Sequence, residues 1–219
     1  MQLAKKVISS ELAYFDEYFT GYLTSEVPLL NDIFNYIIKH KGKQIRPMLA
    51  LLCARMGGSL NERSYCAALL VEILHTASLV HDDIVDESME RRGAFSINAL
   101  WNNKISVLVG DNLSFKALLL VLSNKDHKIL EIYTSAIQQI IEGEILQLQK
   151  SRKLNLGEDI YFEIIGAKTA AFFASACAAG ASSTFNDDSQ VQKFHQFGKN
   201  AGIAFQLKDD LFDYSNADV

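Results

Sequence analysis

Two aspartate clusters of identical spacing are the residues in this sequence best suited to chemistry. They are Asp82, Asp83 and Asp86, and then Asp209, Asp210 and Asp213. Residues four apart share a helix face, so each cluster brings like charges together. At 4 Å that repulsion is about 1 kcal/mol in water and about 4 kcal/mol at an effective dielectric constant of 20. Because apolar sequence precedes each cluster, we expect hard cations to bind these oxygens, most simply Mg²⁺.

Basic residues lie beside breaks in the chain or close to the acidic clusters. They are Lys43 and Arg46 in one turn, Arg91 and Arg92 after the first cluster, and Lys168 in an apolar stretch. A solvated loop is the simpler interpretation of the two neighbouring arginines. Lys168, set among alanines and phenylalanines, should instead face an anion or a carboxylate, because an unpaired buried charge is costly. Acids for a metal together with separate cations predict a polyphosphate ligand.

Four further positions are ambiguous on sequence alone. His75 and Gln206 each fit a packed helical side chain as well as a ligand-binding one. The same is true of Glu144 and Gln147 in the segment Gly-Glu-Ile-Leu-Gln.

The composition indicates one helical globular protein. The 219 residues are 49% hydrophobic and include only two prolines, which favours long helices. A net charge of −5 argues against nucleic acid as a partner. Three widely spaced cysteines predict reduced core residues in a cytoplasmic protein. The N-terminus lacks the apolar core of a signal peptide, and the apolar stretch 170–181 is shorter than the roughly 20 residues of a membrane span, so we expect no span.

Periodicity and breakers predict an all-α fold, an antiparallel helical bundle around a central cavity. Asn61 is predicted to cap the long helix that carries the first cluster. The predicted helices cover 3–19, 29–39, 47–56, 61–87, 96–102, 105–122, 125–150, 158–181 and 189–214.

Seven segments in order resemble the trans-prenyl diphosphate synthases, the polyprenyl synthetase family, and within it the long-chain type that makes hexaprenyl or octaprenyl diphosphate. The segments are Gly-Lys-Gln-Ile-Arg-Pro (42–47), Leu-His-Thr-Ala-Ser-Leu-Val-His-Asp-Asp-Ile-Val-Asp (74–86), Arg-Arg-Gly (91–93), Val-Gly-Asp (109–111), Gly-Glu-Ile-Leu-Gln (143–147), Gly-Ala-Lys-Thr (166–169) and Phe-Gln-Leu-Lys-Asp-Asp-Leu-Phe-Asp (205–213). The resemblance implies the isoprenoid synthase type I fold, two to three Mg²⁺ ions and a homodimer. It also implies a single domain over 1–219 that lacks the C-terminal helices usual in the family.

The resemblance further implies a role for each matched residue. The six aspartates would hold Mg²⁺ against the diphosphate of an allylic substrate, farnesyl or geranyl diphosphate. Arg91, Lys168, Thr169 and Gln206 would contact that diphosphate. The turn containing Gly42, with Lys43, Arg46, His75 and Arg92, would bind isopentenyl diphosphate. Asp82, Asp83, Asp86, Lys168 and Asp209 are the predicted catalytic residues, and ionisation of the allylic C–O bond would precede attack by the double bond of isopentenyl diphosphate.

Small side chains predict a long product. In this family, bulky residues one helical turn before the first cluster stop the growing chain, and one turn is about 5 Å. Here those positions are Ala77 and Ser78, with Leu74 deeper. We therefore expect a product of about C25–C40.

Three alternatives remain open. A class I terpene cyclase would share the first cluster, although its second metal motif normally mixes Asn or Asp with Ser or Thr and Glu. A non-catalytic subunit of a heteromeric synthase tends to lose aspartates, whereas all six are present here. A metal phosphohydrolase using His81 and Asp82 would need further histidine ligands in recognisable motifs.

Overall fold

Helices make up almost all of the described chain, which confirms the all-α prediction. The structure, a computed structural model, describes residues 2–91, 93–151 and 157–216, without the side chains of Gln2, Ser151 and 213–216. The helices are α1 (Gln2–Val7), α2 (Ser9–Tyr22), α3 (Pro28–Lys39), α4 (Ile45–Gly57), α5 (Glu62–Val85), α6 (Ile97–Ser123), α7 (His127–Ser151), α8 (Glu158–Ile165), α9 (Ala171–Ser182) and α10 (Asp188–Asn216). A π-helical turn, Gly166–Ala170, joins α8 to α9.

Short polar side chains mark the start of one helix and a break within another. Asn61 Oδ1 accepts a hydrogen bond from the backbone N–H of Ser64 at 3.1 Å, so it caps α5 as expected. Asn102 has a positive φ of 70° inside α6, and its Oδ1 accepts from the N–H of Ile105. The predicted break between 102 and 105 is therefore a kink within one helix.

Three local features differ from the prediction. The expected helix over 3–19 is divided at Ile8, where φ is −124° and ψ is 36°. Two-residue strands, β1 (Glu90–Arg91) and β2 (Ala94–Phe95), form an antiparallel hairpin that is too short to give an alternating pattern. The helix predicted over 158–181 contains the π-helical turn, in which the N–H of Ala171 bonds to the carbonyl of Gly166.

The described residues form two compact units. Unit 1 comprises Met1–Met48 and Ala68–Asp126, and unit 2 comprises Leu49–Ala67 and His127–Val219. Large side chains that are fully buried, Phe15, Phe19, Phe34 and Leu113 among them, form the core of unit 1. The prediction of one domain over 1–219 around a central cavity stays a prediction.

Helix α9 is the centre of unit 2. Every residue from Ala171 to Ser182 is buried, and α7 and α10 contact it. The three cysteines are free and buried, as predicted for reduced core residues. A hydrogen bond with Cys177 and burial together raise the pKa of the Cys53 thiol, which keeps it protonated and unreactive.

Helix length alone does not exclude membrane insertion, contrary to the estimate made from residues 170–181. Three helical stretches are long and apolar enough to cross a membrane, Glu62–Val85, Ile97–Ser123 and Glu158–Ser182. In the first and third, 67% and 78% of the most apolar window is buried inside the protein, against 39% in Ile97–Ser123. That burial is typical of core helices, and the absence of a span stays a prediction.

Candidate active site

The first aspartate cluster lies at the C-terminal end of α5 in unit 1. Asp82 is partly buried, and Asp83 is only 4% exposed. Asp86 is exposed and follows the end of the helix, with its N–H still bonded to the carbonyl of Asp82 at 2.8 Å. Glu87 then adopts a φ of 51°, which ends the helical path. Two accessible carboxylates and one buried carboxylate therefore make up this cluster.

The β1–β2 hairpin brings Arg91 back onto the cluster. The guanidinium Nε of Arg91 donates to Oδ1 of Asp83 at 2.6 Å. The amide of Asn98, at the start of α6, donates to the backbone carbonyl of Asp83 at 3.3 Å. The sequence placed Arg91 near the cluster but did not predict the hairpin that positions it. Arg92 lies outside the described residues.

The Val-Gly-Asp segment of α6 packs directly against the residue before the first cluster. A side chain added at Gly110 would come within 2.2 Å of the His81 ring, so a larger residue would require the ring to move. The Nε2 atom of His81 lies 3.4 Å from Oδ1 of Asp111. These contacts connect α6 to the functional end of α5.

Two residues predicted to bind isopentenyl diphosphate are in direct contact. Nη1 of Arg46, on α4, lies 3.0 Å from Nε2 of His75, on α5. Lys43 is exposed in the loop that precedes α4. A pocket of about 80 Å³ in unit 1 is lined by Gly42, His75, Asp83 and Arg91, together with apolar residues such as Ile37 and Val80. Acidic, basic and apolar side chains thus line one pocket of unit 1.

The predicted chain-length residues lie on α5 before the first cluster. Leu74 and Ala77 are buried, 4% and 2% exposed, and Ser78 is partly buried. The hydroxyl of Ser78 donates to the backbone carbonyl of His75 at 2.9 Å. None of the three is among the residues that line the unit 1 pocket.

In unit 2, two glycines let α10 approach α9 and the π-helical turn closely. A side chain added at Gly198 would meet the carbonyl oxygen of Phe173 at 2.5 Å, and one at Gly202 would meet Cα of Ala170 at 2.6 Å. Gln206 and Asp210 continue the same stripe of α10, since residues four apart share a face. The glycines therefore determine which neighbours these two polar residues reach.

A chain of hydrogen bonds connects the second aspartate cluster to the π-helical turn. The hydroxyl of Thr169 donates to Oε1 of Gln206 at 2.7 Å, and Nε2 of Gln206 donates to Oδ1 of Asp210 at 2.8 Å. The hydroxyl of Tyr161, on α8, donates to Oδ2 of Asp210. Asp209 is exposed. Asp213 lies within α10, and its side chain is outside the described part of the structure.

Lys168 has the carboxylate partner that its apolar setting predicted. Its ammonium lies 2.6 Å from Oε2 of Glu144. Helix α7 passes close to the π-helical turn at Gly143, where an added side chain would lie 2.6 Å from Cβ of Ala167. Glu144, which the sequence left ambiguous, is thus part of the site. Tyr161 was not predicted from the sequence, because a Tyr-Phe pair at the start of an amphipathic helix is typical of any packed surface.

The aromatic residues that follow Lys168 belong to the core. Phe172 and Phe173 are 4% and 2% exposed, and the ring of Phe173 lies 5.2 Å from that of Phe205. A second pocket in unit 2, of about 540 Å³, is lined by Gly143, Ala167, His195 and Lys199 among others. None of the predicted site residues lines it.

The carboxylates fit Mg²⁺ as donors. Among the described residues, no three His, Cys, Asp or Glu side chains form a ready-made metal site. Mg²⁺ does not need one, because it commonly binds one or two carboxylates, several waters and the phosphates of a substrate. Asp82 and Asp86 in unit 1 and Asp209 and Asp210 in unit 2 supply carboxylates of this kind.

Comparison with known proteins identifies the family. The polyprenyl synthetase family model matches residues 27–218. The octaprenyl diphosphate synthase of Escherichia coli K12 is 40% identical over 196 residues, which are 90% of this chain and 60% of that protein.

Two solved structures superpose on most of the chain. A polyprenyl synthase from Caulobacter crescentus, complexed with calcium and isoprenyl diphosphate, has a TM-score of 0.92 and 39% identity over 97% of this chain and 65% of that one. A decaprenyl diphosphate synthase from Rhodobacter capsulatus has a TM-score of 0.92 and 38% identity, over 97% and 66% respectively.

The chain belongs to the polyprenyl synthetase family. The family match confirms the resemblance inferred from the seven ordered segments. The chain spans 60% of the length of the E. coli relative and 65% of that of the Caulobacter structure.

Proposed function

We propose that this chain is a trans-prenyltransferase that condenses isopentenyl diphosphate with an allylic diphosphate, farnesyl or geranyl diphosphate, to give a long all-trans polyprenyl diphosphate. One observation carries the proposal. In unit 2, hydrogen bonds link Thr169, Gln206 and Asp210, and Lys168, the residue before Thr169, forms an ion pair with Glu144. A cation and a carboxylate held in this unit suit a Mg²⁺-bound diphosphate.

The cations of the chain bind and orient the two diphosphates. Lys168 and Arg91 would contact the diphosphate of the allylic substrate and stabilise the charge that develops as the C–O bond breaks. Arg46 and His75, in contact at 3.0 Å, would hold isopentenyl diphosphate together with Lys43. The C–O bond breaks with its electron pair leaving on pyrophosphate, the double bond of isopentenyl diphosphate forms the new C–C bond, and a proton is lost to the released pyrophosphate.

Asp82, Asp83, Asp86, Asp209, Asp210 and Asp213 would hold two to three Mg²⁺ ions, which neutralise the pyrophosphate leaving group when bound. The residues differ in how available they are. Asp82 and Asp86 are accessible to solvent, while Asp83 is buried against Arg91. Asp83 would therefore serve in one of two ways. It would either keep its ion pair with Arg91 or release Arg91 to bind the diphosphate of the substrate.

A product near C40 suits both the sequence and the relatives. The positions one turn before Asp82 are Ala77 and Ser78, which leave more length than bulky residues would. Octaprenyl and decaprenyl diphosphate synthases are among the similar proteins. We propose that the product lies within C25–C40, toward the longer end.

An exposed apolar stripe on α6 supports a homodimer. Leu108, Phe115, Leu119 and Leu122 are 64%, 66%, 61% and 49% exposed, and their spacing of seven, four and three residues places them on one helix face. A second copy in two-fold symmetry would bury the same stripe on each subunit. Asp111, 54% exposed on the same helix, makes a bilayer a costly alternative. We also propose that the protein is cytoplasmic, because its three cysteines are free.

The decisive experiment incubates the chain with labelled isopentenyl diphosphate, farnesyl diphosphate and Mg²⁺ and sizes the products. We expect elongated products near C40, and their loss when Mg²⁺ is removed. Asp82→Asn serves as an inactive control, because it removes an accessible carboxylate. Absence of product from the wild-type chain would overturn the proposal. Product formed only after a second protein is added would favour the alternative of a subunit in a heteromeric synthase.

A further inference from the structure

We propose that Tyr161 is a positioning residue for the second aspartate cluster, acting through Asp210. This inference rests on the proposed function, since it concerns how that site binds Mg²⁺ and pyrophosphate. The hydroxyl of Tyr161 donates to Oδ2 of Asp210, and no motif in the sequence assigns Tyr161 a role. Tyr161 is expected to hold the carboxylate and to make no contact with substrate itself.

The register between two antiparallel stretches of helix places Tyr161 beside Asp210. Every fourth residue of α10 from Gly198 onward contacts a residue that lies earlier in the segment from α8 to α9. Gly198 lies against Phe173 and Gly202 against Ala170, Gln206 bonds to Thr169, and Asp210 bonds to Tyr161. Tyr161 is therefore the end of an ordered series of contacts, and its position follows from the same packing that places Gln206.

Both oxygens of Asp210 are held by neutral donors. Gln206 supplies the donor to Oδ1, and Tyr161 supplies the donor to Oδ2. Each carboxylate oxygen has two lone pairs, so one on each oxygen is left for a metal. Hydrogen bonds that fix a ligating carboxylate are a recognised determinant of metal affinity.

The contrast with the first cluster supports this interpretation. There the middle aspartate, Asp83, pairs with the cationic Arg91, which offsets its charge. The middle aspartate of the second cluster is oriented by a phenol and an amide, which leave its negative charge in place. A carboxylate that is held in place and keeps its negative charge favours cation binding.

The test measures binding without turnover. Inorganic pyrophosphate is titrated calorimetrically into the full chain at a low and at a saturating Mg²⁺ concentration. We expect Tyr161→Phe to weaken binding about tenfold at low Mg²⁺, the lower end of the effect of removing a residue that orients a metal ligand. Saturating Mg²⁺ should restore the affinity, because only the affinity for the ion has changed.

Tyr133→Phe is the matched control. Tyr133 is a fully buried tyrosine of the same unit, and its hydroxyl donates to the backbone carbonyl of Ala67 at 2.9 Å. The Tyr133→Phe variant loses a tyrosine hydrogen bond whose acceptor is a backbone carbonyl and not a carboxylate. Its affinity for pyrophosphate should therefore match that of the wild type. In an Asp210→Asn background, Tyr161→Phe should have no further effect, since its carboxylate partner is gone.

Each outcome decides between the two proposals. If wild type does not bind pyrophosphate in the presence of Mg²⁺, the proposed function fails and this inference fails with it. If wild type binds and Tyr161→Phe binds equally well, only the inference fails. It fails too if the loss persists at saturating Mg²⁺, if it adds fully to that of Asp210→Asn, or if Tyr161→Phe alone unfolds while Tyr133→Phe stays folded.

Discussion

The ammonium of Lys168 and the carboxylate of Glu144 form an ion pair at 2.6 Å, with their side chains 30% and 20% exposed. A cation predicted to bind diphosphate is therefore already held by a residue of α7. The pair restricts where the ammonium lies, and Coulomb attraction is stronger here than at a fully exposed site.

Lys168→Gln should lower kcat/KM about 100-fold, because it removes a preorganised donor to the leaving group. Glu144→Gln should lower it less, and the double variant should be no worse than Lys168→Gln, since the two changes remove one shared interaction. Steady-state kinetics with farnesyl diphosphate measures each effect.

Lys128→Gln is the control for that series. Lys128 also pairs with a carboxylate in unit 2, that of Asp188, but it lies among none of the predicted site residues. Its kcat/KM should equal that of the wild type. An equal loss in Lys128→Gln and Lys168→Gln would mean that general charge, and not the site, is responsible.

A larger residue before the first cluster should shorten the product. Ala77→Phe and Ser78→Phe each add bulk one turn before Asp82, and we expect the main product to lose at least one isoprene unit. Ala77 is only 2% exposed, so overpacking there costs about 1–3 kcal/mol of stability, whereas Ser78 is partly buried. Product sizing, with thermal unfolding of both variants, measures the result. An unchanged product from a folded Ser78→Phe variant would show that this part of α5 does not limit chain length.

Arg46 and His75 should act together on one substrate. Because their side chains meet at 3.0 Å, Arg46→Gln and His75→Ala should each raise the KM for isopentenyl diphosphate about tenfold, with little change in the KM for farnesyl diphosphate. The combined effect should be less than the product of the single effects. A selective rise in the KM for farnesyl diphosphate instead would reverse the assignment of the two substrates.

A charge in the apolar stripe of α6 should separate the dimer. Phe115→Lys places an ammonium at a position that is 66% exposed in the single chain but buried against a second copy in the proposed dimer. Sedimentation velocity should show a dimer for wild type and a monomer for the variant. Wild type that is monomeric, or that partitions into lipid vesicles, would rule out this interface.

Acid should destabilise the protein through His195. Burial, and then Lys199, lower the pKa of this histidine below its ordinary value of 6.5. Between that lowered pKa and 6.5 the unfolded chain binds more protons, so the free energy of unfolding falls as the pH falls. The charged residues that line the same pocket as His195 are Glu142, Glu163 and Lys199. Urea denaturation across this range should show a shallower decline for His195→Gln than for the wild type, and an equal decline in the two proteins would contradict the prediction.

Much of the fold follows from the sequence because the determinants are local. Asn61 caps α5 as predicted, and Pro28 and Pro47 lie in the first turns of α3 and α4. Asn102 marks a break by its own backbone conformation. Such features depend on a few neighbouring residues, and pattern reasoning is sensitive to them.

The parts that the sequence did not predict depend on tertiary contacts. The hairpin around Arg91 has strands of two residues, and its pairing has no periodic signal. Tyr161 on α8 meets Asp210 on α10 through a contact between helices 49 residues apart in sequence, where α10 also packs closely at Gly198 and Gly202. That the two aspartate clusters face one another stays a prediction from the sequence.

Because of the π-helical turn, the number of residues in the segment 166–170 matters more to the site than their identities. An α-helix advances about 100° per residue, and the bond from Ala171 to Gly166 accommodates one residue more than an α-helical turn would. Deleting a single residue from 166–170 would allow a regular helix to form and would rotate Tyr161 away relative to α9. Relatives that keep this site should therefore tolerate substitutions in the turn far more readily than insertions or deletions.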